Sequence, residues 1–157
     1  MCDEAYDSAA DTLAHSQLVG RYMGAVISEL LERSYEHDAS KLAEPEKSAF
    51  DRCTERLRTL TYGSEEYKAS LAELGPALEH HYAHNRHHPE RFDNGVRGMT
   101  LMDLCEMLAD WYAAGQRHDD GNLGRSLVVQ QQRFAIGEQL MDILGNTARH
   151  LGWLQQS

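Results

Sequence analysis

The sequence predicts an all-α protein, a compact bundle of about five to seven helices in a single domain over residues 1–157. Three observations carry this expectation. Only three prolines, Pro45, Pro76 and Pro89, interrupt the chain, so long stretches are free of the ring that breaks helices. Runs of β-branched residues, the usual mark of strands, are absent. Apolar residues recur at spacings of three and four rather than two.

The first helix is expected from about Ser8 to Tyr35, with Leu18, Tyr22, Ala25, Val26, Glu29 and Leu30 on its mostly apolar stripe. Pro45 suits the start of a short helix through Phe50, Leu57 and Leu60, because a proline is tolerated in the first turn. Ser64 is the expected N-cap of the next helix, with Glu65 and Glu66 favourable in its first turn. Gly75-Pro76 should kink or break that helix, which then resumes from Ala77 to about His88, where Pro89 helps to end it. Thr100 should cap a strongly periodic helix whose inward stripe is Leu101, Leu104, Cys105, Leu108 and Trp111 or Tyr112. After the loop HDDGNLG a final helix is expected from about Leu127 to Leu144, with Phe134, Ile136, Leu140, Met141 and Leu144 facing inward.

Composition narrows the function classes. Hydrophobic residues at 41% and charged residues at 25% place the chain among ordinary globular domains and away from disordered ones. The net charge of −10 argues against a broad nucleic-acid footprint or an anionic membrane surface as partner. It is compatible with a small phosphorylated substrate, since a bound cation reverses the local field. Three cysteines with no CxxC read as reduced thiols of a cytoplasmic protein. The acidic start MCDEAYDSAADTLAH does not read as a signal peptide, and no apolar run has the length of a membrane span.

The chemistry is concentrated in four places. Five of the nine histidines lie between residues 80 and 88. On a continuous helix His81, His84 and His88 would share one face, and His80, His84 and His87 an adjacent one. Imidazole is a good ligand for transition metals, although a solvated histidine face near a helix end is the ordinary alternative. His37-Asp38 pairs a neutral nitrogen with a hard anionic oxygen, and Lys41 follows as a phosphate-binding point charge. Asp103, Glu106 and Asp110 recur at i, i+3 and i+7. Such a stripe is commonly just a solvent face, but here one carboxylate could complete a metal shell while another serves as general base or orients a ligand. His15 is a lone histidine on the first helix.

In chain order these elements read H…HD…H…H…D, a pattern that resembles the HD-domain superfamily of metal-dependent phosphohydrolases. HDASK resembles the HDxxK form of the HD-GYP branch, and HHPERFDNG resembles that branch's histidine-rich, glycine-containing segment without its GYP triplet. LADWYAA is similar to the helix carrying the last metal aspartate, which puts Asp110 ahead of Asp103. Some nucleotidase members carry a glutamate where this chain has Lys41. The combination HDASK, HHYAHNRHHPE and DLCEMLADW also resembles an uncharacterised family of phages and bacteria over about residues 15–147, which brings no activity with it.

The HD resemblance implies an HD-like helical fold and hydrolysis of a nucleotide or other small phosphate ester by a metal-activated water. Its implied metal residues are His15, His37, Asp38 and Asp110, with His81 and His88 for a second ion. Spacing leaves open which of His80, His81, His84, His87 and His88 are ligands. Lys41, and after it Arg86, would bind substrate phosphate, and Lys41, Glu106 and Asp103 are the candidate catalytic groups. The mixed nitrogen and oxygen donors suit one or two ions of manganese, iron, cobalt, nickel or zinc rather than calcium. The rival expectations are a non-catalytic metal-binding protein that modulates host signalling, a di-iron oxygenase of the HD fold, and a plain helical interaction domain whose histidines are surface residues.

Overall fold

The computed structural model describes residues 6–61, 64–117 and 121–155, apart from the side chain of Arg58. Cys2, Tyr62, Gly63 and residues 118–120 of the expected HDDGNLG loop lie outside them. The described residues form seven α-helices and three short 3-10 turns and contain no strand. The protein is therefore all-α. No described helix is long and apolar enough to cross a membrane.

Contacts divide the chain into two units, Met1–Glu36 and His37–Ser157. The first holds helix α1, Ala9–Glu36. Its start is tied by the Asp7 carboxylate, which accepts from the Ala9 backbone N–H, and its end by an Arg33–Glu29 pair one turn apart. The helix has no buried residue, and Leu18, Tyr22 and Val26 of its apolar stripe are exposed.

The second unit contains α2 (Glu46–Thr59), α3 (Glu65–Ala72), α4 (Gly75–His84), α5 (Leu101–Gly115), α6 (Leu123–Arg133) and α7 (Glu138–His150). Ser64 caps α3 by accepting from the Tyr67 N–H. Thr100 and Asp103 form a reciprocal capping box that starts α5. Two apolar clusters hold the unit together. Ala49 and Cys53 of α2 meet Leu74 and Ala77 in one. Met107, Leu108 and Trp111 of α5 meet Leu123, Leu127, Ile136, Leu144 and Ala148 in the other. Burial of such side chains, roughly 1.5–3 kcal/mol for each large one, is the main force that sets the helix positions.

Three expectations are corrected here. The single C-terminal helix is two helices, because the chain turns at Ala135, whose φ of 49° is left-handed, and Gly137 then caps α7. That turn drives Ile136 into the core at 3% exposure. The inward face of α5 is rotated from the expected stripe: Leu101 and Cys105 are exposed, while Met107 is fully buried. Finally, α4 stops at His84 rather than continuing to His88, since Asn85 is extended at φ −111° and ψ 117°. This last difference rearranges the histidines.

Candidate metal centre

Because α4 ends early, its histidines part company. His81 is 1% exposed and points inward, whereas His80 and His84 stack on each other with ring centroids 3.9 Å apart at the outer side. His87 and His88 reach the interior from the turn after α4, just before the 3-10 turn Pro89–Arg91. His87 is 2% exposed. Its ring lies 4.1 Å from that of His88 and 4.4 Å from that of His37, centroid to centroid.

The HD pair sits at the start of the second unit. Asp38 has φ 58°, a left-handed conformation that aspartate tolerates better than most residues. It leads into the 3-10 turn Ala39–Leu42, which carries Lys41 back over it: Lys41 Nζ donates to Asp38 Oδ2 at 2.6 Å. The other oxygen, Asp38 Oδ1, lies 3.3 Å from His81 Nε2 and 3.5 Å from His87 Nε2. His81 Nε2 and His88 Nε2 are 2.9 Å apart. From α5, Asp110 Oδ1 approaches His37 Nε2 to 3.6 Å.

Two buried or half-buried carboxylates stand behind the imidazoles. Glu106 Oε1 accepts from His37 Nδ1 at 2.9 Å and from His87 Nδ1 at 3.0 Å. Glu46, fully buried at the start of α2, accepts from His80 Nδ1 at 2.7 Å and from His81 Nδ1 at 2.9 Å. Ser40 Oγ also donates to Glu46. A carboxylate engages the N–H of an imidazole, so His81 and His87 carry their protons on Nδ1 and turn bare Nε2 lone pairs inward. There they meet more acceptors. His87 Nε2 and Asp38 Oδ1 are both buried without a hydrogen-bond partner. Orphaned acceptors of this kind are rare in proteins and costly, and a cation is what would satisfy them.

The electrostatics agree. Burial opposes the charge on Asp38, but its charged neighbours, Lys41 among them, overrule it and hold the carboxyl well below its ordinary range. Burial likewise opposes Glu106 and Asp110, which the neighbouring histidines nevertheless keep low. Glu46 is lowered too, by His80 and Ser40 against its own burial. Burial, then His87 and His81, push His88 down to about 3, so it is neutral and free to donate electrons. His37 stands apart: Asp110 and Glu106 raise it to about 10. It carries a proton at neutral pH that a metal would have to displace.

These residues fit a transition-metal ion. Two overlapping groups have ligand atoms within 4.8 Å of one another: Asp38, His81, His87 and His88, and His37, His87 and Asp110. With metal–ligand bonds of about 2.1 Å, neighbouring ligand atoms are about 3.0 Å apart in an octahedron and about 3.4 Å in a tetrahedron. The observed spacings of 2.9–3.6 Å bracket both. Imidazoles braced by carboxylates are the usual outer support of such sites. The centre opens on a cavity of about 570 Å³ whose walls include Asp38, Lys41, His81, His88 and Asp110.

Of the residues singled out from sequence, His37, Asp38, His81, His88 and Asp110 converge here, with Glu106 behind them and Lys41 beside them. His15 is exposed on α1 and belongs to neither group. Arg86 and Asp103 are engaged with each other. Asp103, fully buried, receives Arg86 Nε at 3.0 Å and Arg86 Nη2 at 2.9 Å while capping α5. The sequence kept His87 only as one of five possible ligands between residues 80 and 88, outside the implied metal set, and gave Glu46, Ser40 and Asn85 no part. Asn85 four residues before Pro89 is a helix-end signal that could have separated His87 from the stripe. Glu46 looks like any acidic residue in a first turn and carries no such signal.

The chain belongs to a family described as a family of unknown function (DUF5662), whose model matches residues 4–150. No curated protein and no solved structure matches it.

Proposed function

We propose that this member of a family of unknown function is a metal-dependent phosphohydrolase acting on a small phosphate ester, with nucleotides the first candidates. The observation that carries the reading is the convergence of carboxylate-braced imidazoles on the orphaned Asp38 Oδ1 and His87 Nε2, at the wall of a cavity. The resemblance of His37-Asp38, the 80–88 histidines and Asp110 to the HD pattern adds to it.

Asp38, His81, His87 and His88 would hold a divalent ion of manganese, iron, cobalt, nickel or zinc, and His37 with Asp110 would hold or adjoin a second. Such an ion supplies a low-pKa water and polarises a phosphoryl oxygen. The chain's own groups supply the rest. Lys41 Nζ lines the cavity and is steadied at 2.6 Å by Asp38, so it can neutralise phosphate charge that develops beside the centre. Arg117, Arg125 and Arg133 bring further positive charge to the same cavity. Tyr67, Tyr82 and Phe134 offer flat apolar surface to a base or ring, and the volume is that of a small-molecule site. Glu106 is occupied by two imidazole N–H groups, which suits it to orienting ligands rather than to taking protons from substrate.

The test is metal analysis of the purified chain, followed by a screen of nucleotides and simple phosphate monoesters with added manganese. One or two equivalents of transition metal with turnover is the expected result. Lys41→Ala should keep the metal and lower kcat/KM by about 10–100-fold. Metal without phosphate release would overturn the hydrolase and leave a metal-binding protein, and oxygen consumption by an iron-loaded sample would replace it with an oxygenase. A chain that takes up no metal on reconstitution would end the whole reading.

A further inference from the structure

Glu46 touches no cavity wall and faces no substrate, yet it is among the most deeply buried charged groups of the described residues. We propose that Glu46 is a positioning residue that turns His81 into a metal ligand by fixing the proton on its Nδ1. The inference rests on the metal-dependent reading above and gives one residue of that centre a defined task.

The geometry argues it in steps. Glu46 Oε2 is 2.9 Å from His81 Nδ1, and Oε1 is 2.7 Å from His80 Nδ1. A carboxylate has no proton to offer, so both imidazoles must present N–H to it. The lone pair of His81 then lies on Nε2, which is aimed at Asp38 Oδ1 and His88 Nε2, 3.3 and 2.9 Å away. The opposite tautomer has partners within reach. Asn85 Nδ2, which donates to Ser40 Oγ and to the His81 carbonyl, stands 3.0 Å and Ser40 Oγ 3.3 Å from the same His81 Nδ1, and a shift of either bond would let it donate there if that nitrogen were bare. That arrangement would put a proton on Nε2, in the centre, where it blocks a cation. The negative charge of Glu46 decides between the two, since a charge-assisted bond is roughly twice as strong as a neutral one. Ser40 is turned away as well, because its hydroxyl donates to Glu46 Oε2 at 2.9 Å.

His80 makes a built-in control. It shares Glu46 with His81 but belongs to neither group of candidate ligands. Glu106 plays the matching part on the other side, where one oxygen serves His37 and His87 together.

The experiment uses the full chain, with zinc as the probe. Glu46→Gln, nearly the same shape without the charge, should weaken zinc binding by about 10–100-fold, while helicity is kept and full stoichiometry returns at excess zinc. His80→Ala should change zinc affinity by less than about twofold. Nitrogen-15 NMR of the metal-free protein reads the tautomer directly, with the His81 ring identified by its loss in His81→Ala. The expected wild-type form is Nδ1–H, moving toward Nε2–H in Glu46→Gln. Unchanged affinity together with an unchanged His81 tautomer in that variant overturns the proposal. So does a wild-type His81 already protonated on Nε2, a measurement that needs no Glu46 variant to fold. If the wild type binds no zinc, the metal-dependent reading fails on its own, and the His81 tautomer still reports whether Glu46 sets the proton.

Discussion

His80 and His84 lie on the same short helix as His81, and His87 and His88 lie in the turn that follows it. By composition the five are equivalent. By position they form two regions with opposite properties. The outer face of α4 presents a stacked pair, the half-buried His80 and the exposed His84, which uses Nδ1 on the His80 backbone carbonyl. The inner turn presents His87, buried with an unpartnered Nε2, and the half-buried His88, whose Nε2 lies 2.9 Å from that of His81. The difference teaches that a dense run of histidines says little until the backbone decides which ring is desolvated. Desolvation with a carboxylate behind and bare lone pairs in front is what distinguishes a candidate ligand from a solvated side chain.

The strongest way to break this comparison is to delete one ring or acid from each region. Asp38→Ala and His87→Ala should each weaken zinc binding by about 100-fold or more, measured by titration calorimetry, because each removes an inner donor that no neighbour can replace. His84→Ala should change it by less than about twofold. Equal losses for His84 and His87 would erase the distinction.

A smaller effect separates the centre from its surroundings. Arg86→Ala leaves the fully buried Asp103 without its two guanidinium bonds, although the Thr100 N–H remains. The Arg86 side chain is 47% exposed, so the loss is discounted to about 1–3 kcal/mol. Thermal unfolding should show the drop, and zinc stoichiometry should stay the same. A variant that keeps its Tm but loses zinc would move Arg86 into the centre.

The smallest effect sharpens the comparison through pH, in chelator-treated protein. His88 has a folded pKa of about 3, below its ordinary value near 6.5, so its contribution is full above about 6.5 and is lost as pH falls toward 3. Asp38, Glu106 and Asp110 are depressed and act in the same direction, below about pH 4. His37 is raised to about 10, so its contribution is full below about 6.5 and is lost as pH climbs to 10. Denaturant titrations should therefore show a decline on both sides of about pH 6.5, with His37→Asn flattening the alkaline arm. Stability that rises steadily from pH 7 to 10 would contradict the charged His37.

Much of this was readable along the chain. The caps at Ser64 and Thr100 are local devices, written in a few adjacent residues, and both were placed from those residues alone. The pairing of His37 with Asp38, and the i, i+4 relation of Glu106 to Asp110, are also short-range facts. The end of α4 at Asn85 and the break at Ala135 are single-residue departures of the backbone from helical angles; Asn85 ahead of Pro89 hints at the first, while the apolar pattern runs on through the second. Arg86 looked like a phosphate ligand because nothing local reveals that Asp103, 17 residues on, claims it.

Residue types and short spacings were enough to specify an all-helical chain, its caps and a stock of donors suited to a transition metal, because propensity, capping and ligand chemistry are properties of a few neighbouring residues. Folding assigned the donors. Glu46 lies 35 residues from His81, and Glu106 lies 69 from His37, so each bracing contact exists only once separate helices pack. Burial then chose which imidazoles lose water, which tautomer they hold and where their lone pairs meet, and none of these is a property of one stretch of chain.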